Sequence, residues 1–338
     1  MLRIIETDLK YKQRILPYIG GREVNDNSTH LHHRFVICLS DLEKESQLED
    51  WIELKKIVQE KVKPERDLLG NNPNNIPLKR CWWAYQAHRP DFYKRIKTLD
   101  RILVCSSVSK YLSFAWFSSE RIFSHNLTII ALSTDQAFAI LQSRTHELFA
   151  TFFSSTLEDR QGYRPSDCFE TFPFPTNWEN NPQLEDIGKK YYEYRAQLMI
   201  ANNQGLTATY NRFHDPDEYD QDILKLRDLH NQMDRAVLDA YGWTDLQPTC
   251  EFLLDYEDEE ETDPFDSAGD ASKKRAKKKP YRYRWADEIR DEVLARLLAL
   301  NEERYVEEVL RGDKKEGKSK KAKGKTSSSP SIPNFFNK

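Results

Sequence analysis

The chain has 338 residues, of which 38% are hydrophobic and 31% charged, and a formal net charge of −4 at pH 7. That size allows one large domain or two modest ones, and the acidic balance excludes a uniformly basic nucleic-acid coat, so any binding face is a local property. No run of about eighteen apolar residues is present to cross a bilayer, and the opening MLRIIETDLKYKQR lacks the basic start and apolar core of a secretory signal; the expected location is the cytoplasm.

In chain order, the runs RFVICL, RILVCSSV, LSFAWF and LTIIAL between residues 34 and 132 are short, rich in β-branched and aromatic residues, and separated by polar turns. They predict strands. STDQAFAILQSRTHELFATFF then changes period: Phe138, Leu141, Thr145, Leu148 and Phe152 fall on one helical face behind a Ser133-x-x-Gln136 capping box. GYRPSDCFETFPFP, residues 162–175, follows. Its prolines Pro165, Pro173 and Pro175 are expected to forbid helix, and Phe169, Phe172 and Phe174 to anchor on neighbouring surfaces, making a rigid strap between two parts of the chain.

Downstream the pattern is helical. Asn181 and Pro182 open a helix carrying LEDIGKKYYEYRAQLMI, DILKLRDLHNQMDRAVLDAYG makes a second that stops at Gly242, and ADEIRDEVLARLLALNEERYVEEVLRG a third that stops at Gly312. Between the second and third lie the acidic run DYEDEEETDPFD and the basic run SKKRAKKKPYRYR, too poor in apolar residues to fold alone. The expected class is α+β: a mixed, β-rich domain over 1–176, a helical region over 177–254, a disordered charged linker over 255–284, a C-terminal helix over 285–312 and a disordered tail over 313–338.

Most catalytic patterns are missing. NNPNNIP at residues 71–77 has Asn72 and Pro73, but Asn74 and Asn75 stand where the base-holding loop of an amino-methyltransferase has its second proline and its aromatic ring; a polar turn accounts for it. IGG at residues 19–21 lacks the spaced glycines of a nucleotide loop. His30, His32, His33 and Cys38 are not arranged as two separated ligand pairs for zinc, and the cysteines Cys38, Cys81, Cys105, Cys168 and Cys250 show no Cys-x-x-Cys spacing. RPDFYK has no Glu-x-Lys partner for a nuclease centre. Ser143 and His146 lack an acidic orienter and are expected as helix-surface polarity. Neither a catalytic residue, a cofactor site nor a metal site is expected.

One local feature stands out. From Lys79 to Arg121 there are nine basic residues (Lys79, Arg80, Arg89, Lys94, Arg95, Lys97, Arg101, Lys110, Arg121) against three acidic ones (Asp91, Asp100, Glu120), with Trp82, Trp83, Tyr85, Tyr93 and Tyr111 interleaved. Such a mixture suits nucleic acid, since cations reach phosphates while Arg and aromatic groups meet base edges. It equally suits a solvated face over a core that holds both tryptophans.

The patch belongs to an ordered series: ILPYIGGREVN, RFVICLSD, KPERD, KRCWWAYQAHRPDFYKRI, DRILVCSSVSKYLSFAWF, FAILQSRTHELFA and GYRPSDCFETFPFP. In that order the series resembles the target-recognition domain of the large single-chain adenine-specific DNA methyltransferases, which include the MmeI-like type IIL restriction-modification enzymes and the DISARM-type phage-defence methylases. LTATYNRFHDPDEYDQDILKLRDLHNQMDRAVLDAYGW and DEIRDEVLARLLALNEERY are similar to the helical ends of the same proteins, so the resemblance covers roughly residues 14–311. It implies a DNA sequence-recognition module whose partners are double-stranded DNA and a methyltransferase domain or subunit, with no membrane. S-adenosylmethionine is expected on that methyltransferase domain and not in this chain, which alone should not methylate. The candidate contacts to phosphates or bases are Arg80, Arg89, Lys110 and Arg164, with Tyr163 beside the last, and with Trp82 and Trp83 supporting them from the core. The alternative is a protein-interaction subunit of a DNA-processing complex: Ile332, Phe335 and Phe336 of SPSIPNFF have the spacing of clamp-binding peptides, although Ser329 stands where glutamine is usual.

Overall fold

In the computed structural model, residues 1–86, 89–154, 156–157, 160–254 and 281–312 are described, with 156, 157, 160 and 161 given by backbone alone. The class is α+β, with small two- and three-stranded sheets alongside many helices among the described residues. Each run expected as a strand contains one. Ile102–Ser106 is the centre of one sheet, antiparallel to Ala115–Phe117 and to Leu127–Ile130. All of its residues are buried, which is why RILVCS reads as an uninterrupted apolar run and not as an alternation. Arg34–Ile37 pairs antiparallel with Ile15–Ile19, which pairs in parallel with Ile122–Phe123. Val108–Ser109 pairs with Arg160–Gly162, joining the end of one sheet strand to the start of the strap.

The helix expected over the period-shifted run is two helices, Asp135–Gln142 and Arg144–Phe153, broken where Ser143 takes ψ 158. The cap is Thr134 and not Ser133: its Oγ1 accepts from Ala137 N at 3.3 Å. The break has a tertiary cause. Asp234, on helix Gln221–Ala240, accepts Arg144 N–H at 2.9 Å and so supplies the second helix with an N-terminal partner from elsewhere in the chain. Ser143 and His146 are both fully buried, not surface polar groups.

The strap also contains helix. Pro165 sits at the first position of Pro165–Cys168, where a missing N–H costs nothing, so proline starts that turn instead of forbidding it. Beyond it, Phe172 packs edge-on against His146 at 4.5 Å and Phe149 at 5.3 Å, and Phe174 reaches Trp178 at 5.1 Å. Tyr241 OH donates to Pro173 O at 2.9 Å, and Asn301 Nδ2 donates to Thr171 O. The segment is thus fastened to helices on both of its sides.

Asn181 caps helix Pro182–Asn202 by accepting from Gln183 N and Leu184 N at 3.0 and 3.2 Å. Gly188, on that helix, is a point of close approach: a Cβ there would lie 2.2 Å from the Asp135 carbonyl oxygen. Helix Asp287–Arg311 stops at Gly312, whose φ of 80° is the left-handed conformation glycine adopts freely. Cys250–Leu254 and Tyr281–Trp285 form an antiparallel pair with Cys250 opposite Trp285. Residues 281–284, expected in the linker, and 250–254, expected in the helical region, are therefore strand: beneath the charge, Tyr281, Tyr283 and Trp285 alternate with Arg282 and Arg284. The rest of the linker, 255–280, and the tail with Ile332, Phe335 and Phe336 lie outside the described residues.

Among the described residues, two apolar cores result. The smaller joins Tyr11, Ile15, Leu39, Leu48, Leu54, Val58, Trp82 and Trp83. The larger runs from Ile19 to Leu297, combining the central sheet with the downstream helices and crossing residue 176 without a break.

Candidate nucleic-acid interface

The basic patch sorts by exposure. Arg80, Arg89, Lys94, Arg95 and Lys97 are exposed, with Asp91 the one acidic residue between positions 80 and 97. Helix Pro90–Ile96 shows how local sequence creates this face: Ile96 is buried and Phe92 and Tyr93 pack on the larger core, which leaves Asp91, Lys94 and Arg95 outward. Arg80 ends the short helix Ile76–Arg80, and Arg89 is the residue that precedes helix Pro90–Ile96. Between them Trp82 and Trp83 are buried, ring to edge at 5.6 Å, and Trp83 Nε1 donates to Leu42 O at 3.0 Å. The tryptophans hold this segment to the smaller core and offer no stacking surface to a ligand.

Two further cations of the patch are committed elsewhere. Arg101 pairs with Asp135 at 2.9 Å and lies over the Trp116 ring at 4.1 Å. Lys79 Nζ donates to Asn71 Oδ1 at 2.9 Å. The neighbouring Asn/Pro stretch is the polar turn its composition suggests, Asn72 Oδ1 accepting from Asn74 N and Asn75 N at 3.1 and 2.9 Å.

Lys110 and Arg164 lie on a different element pair. Gly162 faces Val108, Gln161 faces Ser109, and Tyr163 N donates to Ser107 O at 2.8 Å, so Lys110 and Arg164 stand at opposite ends of one two-strand register. Arg164 is exposed at the cap position of helix Pro165–Cys168. Tyr163 is 2% exposed, with its hydroxyl bonded to His146 Nε2 at 3.0 Å, and is therefore removed as a DNA contact. Burial also holds the His146 imidazole neutral, its pKa falling to about 3.

Lys110 belongs to a ledge that no sequence pattern reveals. Its Nζ donates to Asn211 Oδ1 at 2.8 Å, and the Tyr111 hydroxyl donates to the same oxygen at 2.9 Å. Arg282, from strand Tyr281–Trp285, donates to Lys110 O at 3.0 Å and lays its guanidinium over the Tyr111 ring at 4.5 Å. His214 stacks on Tyr111 at 4.8 Å, and its Nδ1 accepts from Tyr283 N at 3.0 Å. Burial, then the Arg282 and Arg144 charges, drive its pKa well below the ordinary value, so it sits here as a neutral acceptor.

Near the first sheet, Glu23 is buried and accepts from Arg34 Nε and Nη2 at 3.1 and 2.9 Å and from Gly20 N at 2.9 Å, with His33 Nδ1 at 2.9 Å. Burial pushes its carboxyl up, but the Arg34 and backbone bonds outweigh that and hold it below the usual range. Among the described residues no cluster of three or more His, Cys, Asp or Glu could hold a metal ion, and no helix is long and apolar enough to cross a membrane.

Comparison with known proteins gives two results. The family model "MmeI, target recognition domain" matches residues 2–176. A solved structure of the type IIL restriction-modification enzyme MmeI in complex with DNA is similar at 19% sequence identity with a TM-score of 0.48, covering 72% of this chain and 30% of that one. The chain thus spans under a third of that enzyme's length. No curated protein matches.

Proposed function

Because this chain belongs to the MmeI target recognition domain family, we propose that it reads the DNA sequence for an adenine-specific methyltransferase of a restriction-modification or phage-defence system, acting in the cytoplasm. The observation that carries the reading is a coincidence of place: the matched residues 2–176 include the exposed cations Arg80, Arg89, Lys94, Arg95 and Lys97 and the pair Lys110 and Arg164.

In this mechanism the cations set register by binding phosphates, and arginines that reach the major groove read guanine O6 and N7 through their two parallel donors. Closure of the module on the duplex, opposite a methyltransferase domain or subunit, positions an adenine to be flipped into that partner's pocket. The methyl donor S-adenosylmethionine would be held by that partner. No residue of this chain is assigned to it or to bond making; the role of Arg80, Arg89, Lys110 and Arg164 is binding and orientation.

Selection of bound duplexes from a randomised pool by the purified chain tests the reading. One recurrent motif of several base pairs is expected, lost or relaxed in an Arg80→Gln, Arg89→Gln double variant. A pool that remains random through successive rounds would contradict it.

A further inference from the structure

We infer that Asp91 is a base-reading residue of the DNA-recognition surface, its carboxylate accepting a hydrogen bond from the exocyclic amino group of a cytosine in the major groove. The inference rests on the DNA-recognition reading and deepens it by naming a specificity-determining residue and the base it selects.

Asp91 is exposed at the second position of helix Pro90–Ile96, the one carboxylate among the exposed cations Arg80, Arg89, Lys94, Arg95 and Lys97. Because Phe92, Tyr93 and Ile96 pack inward, it shares the outward face with Lys94 and Arg95, three and four residues on. An acid placed that far ahead of a base is the arrangement in which exposed helical ion pairs form. The chain forms them elsewhere: Glu53 with Lys56 at 2.9 Å, Asp186 with Lys190 at 2.6 Å, and Glu292 with Arg296 and Glu307 with Arg311, both at 2.7 Å. Asp91 makes no such pair, and no side-chain hydrogen bond, among the described residues. Its acceptor oxygens are open to a ligand.

A carboxylate set among phosphate-binding cations weakens backbone binding, because it repels phosphates. It contributes to such a face only where the groups in front of it are donors, and on a duplex those are the amino groups of base edges. Cytosine presents its N4 amino group in the major groove, and a carboxylate is the acceptor that matches it. Adenine presents its N6 amino group beside the N7 acceptor, which an acceptor-only carboxylate leaves unmatched, so cytosine is the better fit.

The experiment compares the motifs selected from a randomised duplex pool by the full chain, by Asp91→Ala and by Asp91→Asn, with a thermal melt of each. The wild type is expected to require cytosine at one position, by about tenfold or more over other bases. Asp91→Ala should lose that preference at that position alone while binding random duplex at least as tightly, and Asp91→Asn should turn it towards adenine, whose N6 and N7 an amide matches. Both variants should melt close to the wild type. The same motif from all three proteins would overturn this inference and leave the DNA reading intact, and loss of preference at every position would mark a structural role and overturn it too; a pool that stays random with the wild type would overturn both. Should the variants unfold, the wild-type chain is tested on motif duplexes that carry 2-pyrimidinone, a cytosine without its amino group, at one position at a time. One position is expected to lose affinity about tenfold, and equal affinity throughout would overturn the proposal.

Discussion

Asp234 binds Arg144 twice: Oδ1 accepts the backbone N–H at 2.9 Å and Oδ2 accepts the guanidinium at 2.5 Å, with both residues buried. These residues are 90 apart in sequence, and they tie a helix of the matched region to a helix beyond it. Burial alone would raise the Asp234 carboxyl, but the charges of Arg144 and His230 hold it below its ordinary value. Asp234→Asn keeps the shape and leaves the guanidinium without its counter-charge. We expect a loss of about 3–5 kcal/mol in urea unfolding, and partial recovery when Arg144→Met is added, because removing both charges avoids a buried unpaired one.

The larger core predicts how the chain behaves when divided. Phe138, Phe149 and Tyr163 share it with Leu184, Tyr191, Leu226 and Met233, so a fragment ending at residue 176 exposes one wall of its own interior. Such a fragment is expected to lack a cooperative urea transition and to associate in sedimentation, whereas residues 1–312 should retain a cooperative transition for the larger core.

His146 gives a pH dependence whose sign follows from burial. Its folded pKa is about 3, against an ordinary value of 6.5. Above pH 6.5 neither state carries the proton and stability is unaffected; below it the unfolded chain binds a proton that the folded one cannot, and stability falls with falling pH. Between pH 6.5 and 5 the loss from this residue approaches about 2 kcal/mol. Paired urea titrations should show a weaker pH slope for His146→Phe than for the wild type over that interval.

Gly188 is a packing requirement. With the Asp135 carbonyl oxygen 2.2 Å from the place of a Cβ, Gly188→Ala must push helix Pro182–Asn202 off helix Asp135–Gln142, at a cost of about 1–3 kcal/mol. Gly70→Ala, with nothing within 4 Å of its Cβ, should melt close to the wild type.

What the sequence made legible was what is local. Asn181-Pro182 and the glycines at 242 and 312 mark helix ends through capping chemistry that acts within a turn, and all three hold in the structure. The break at Ser143 was hidden because its cause, Asp234, lies in another helix. Strand Tyr281–Trp285 was hidden because its alternation is carried by Tyr and Arg inside a charged run, so composition outweighed period. Tyr163 read as a candidate contact because it stands beside Arg164 at the start of the strap, yet successive residues of an extended segment point to opposite sides, and here Arg164 is exposed and Tyr163 buried. The exposed group from Arg80 to Lys97 was legible as a charge excess, while the Lys110 ledge depends on Asn211 and Arg282, which are 101 and 172 residues away.

The most direct test is the affinity of the purified chain for a duplex at 50 and at 200 mM salt. If the five exposed cations between Arg80 and Lys97 neutralise about five phosphates, affinity falls roughly 500-fold across that interval. A response that stays flat, or no binding at the lower salt, would contradict the account of this chain as a DNA-recognition module.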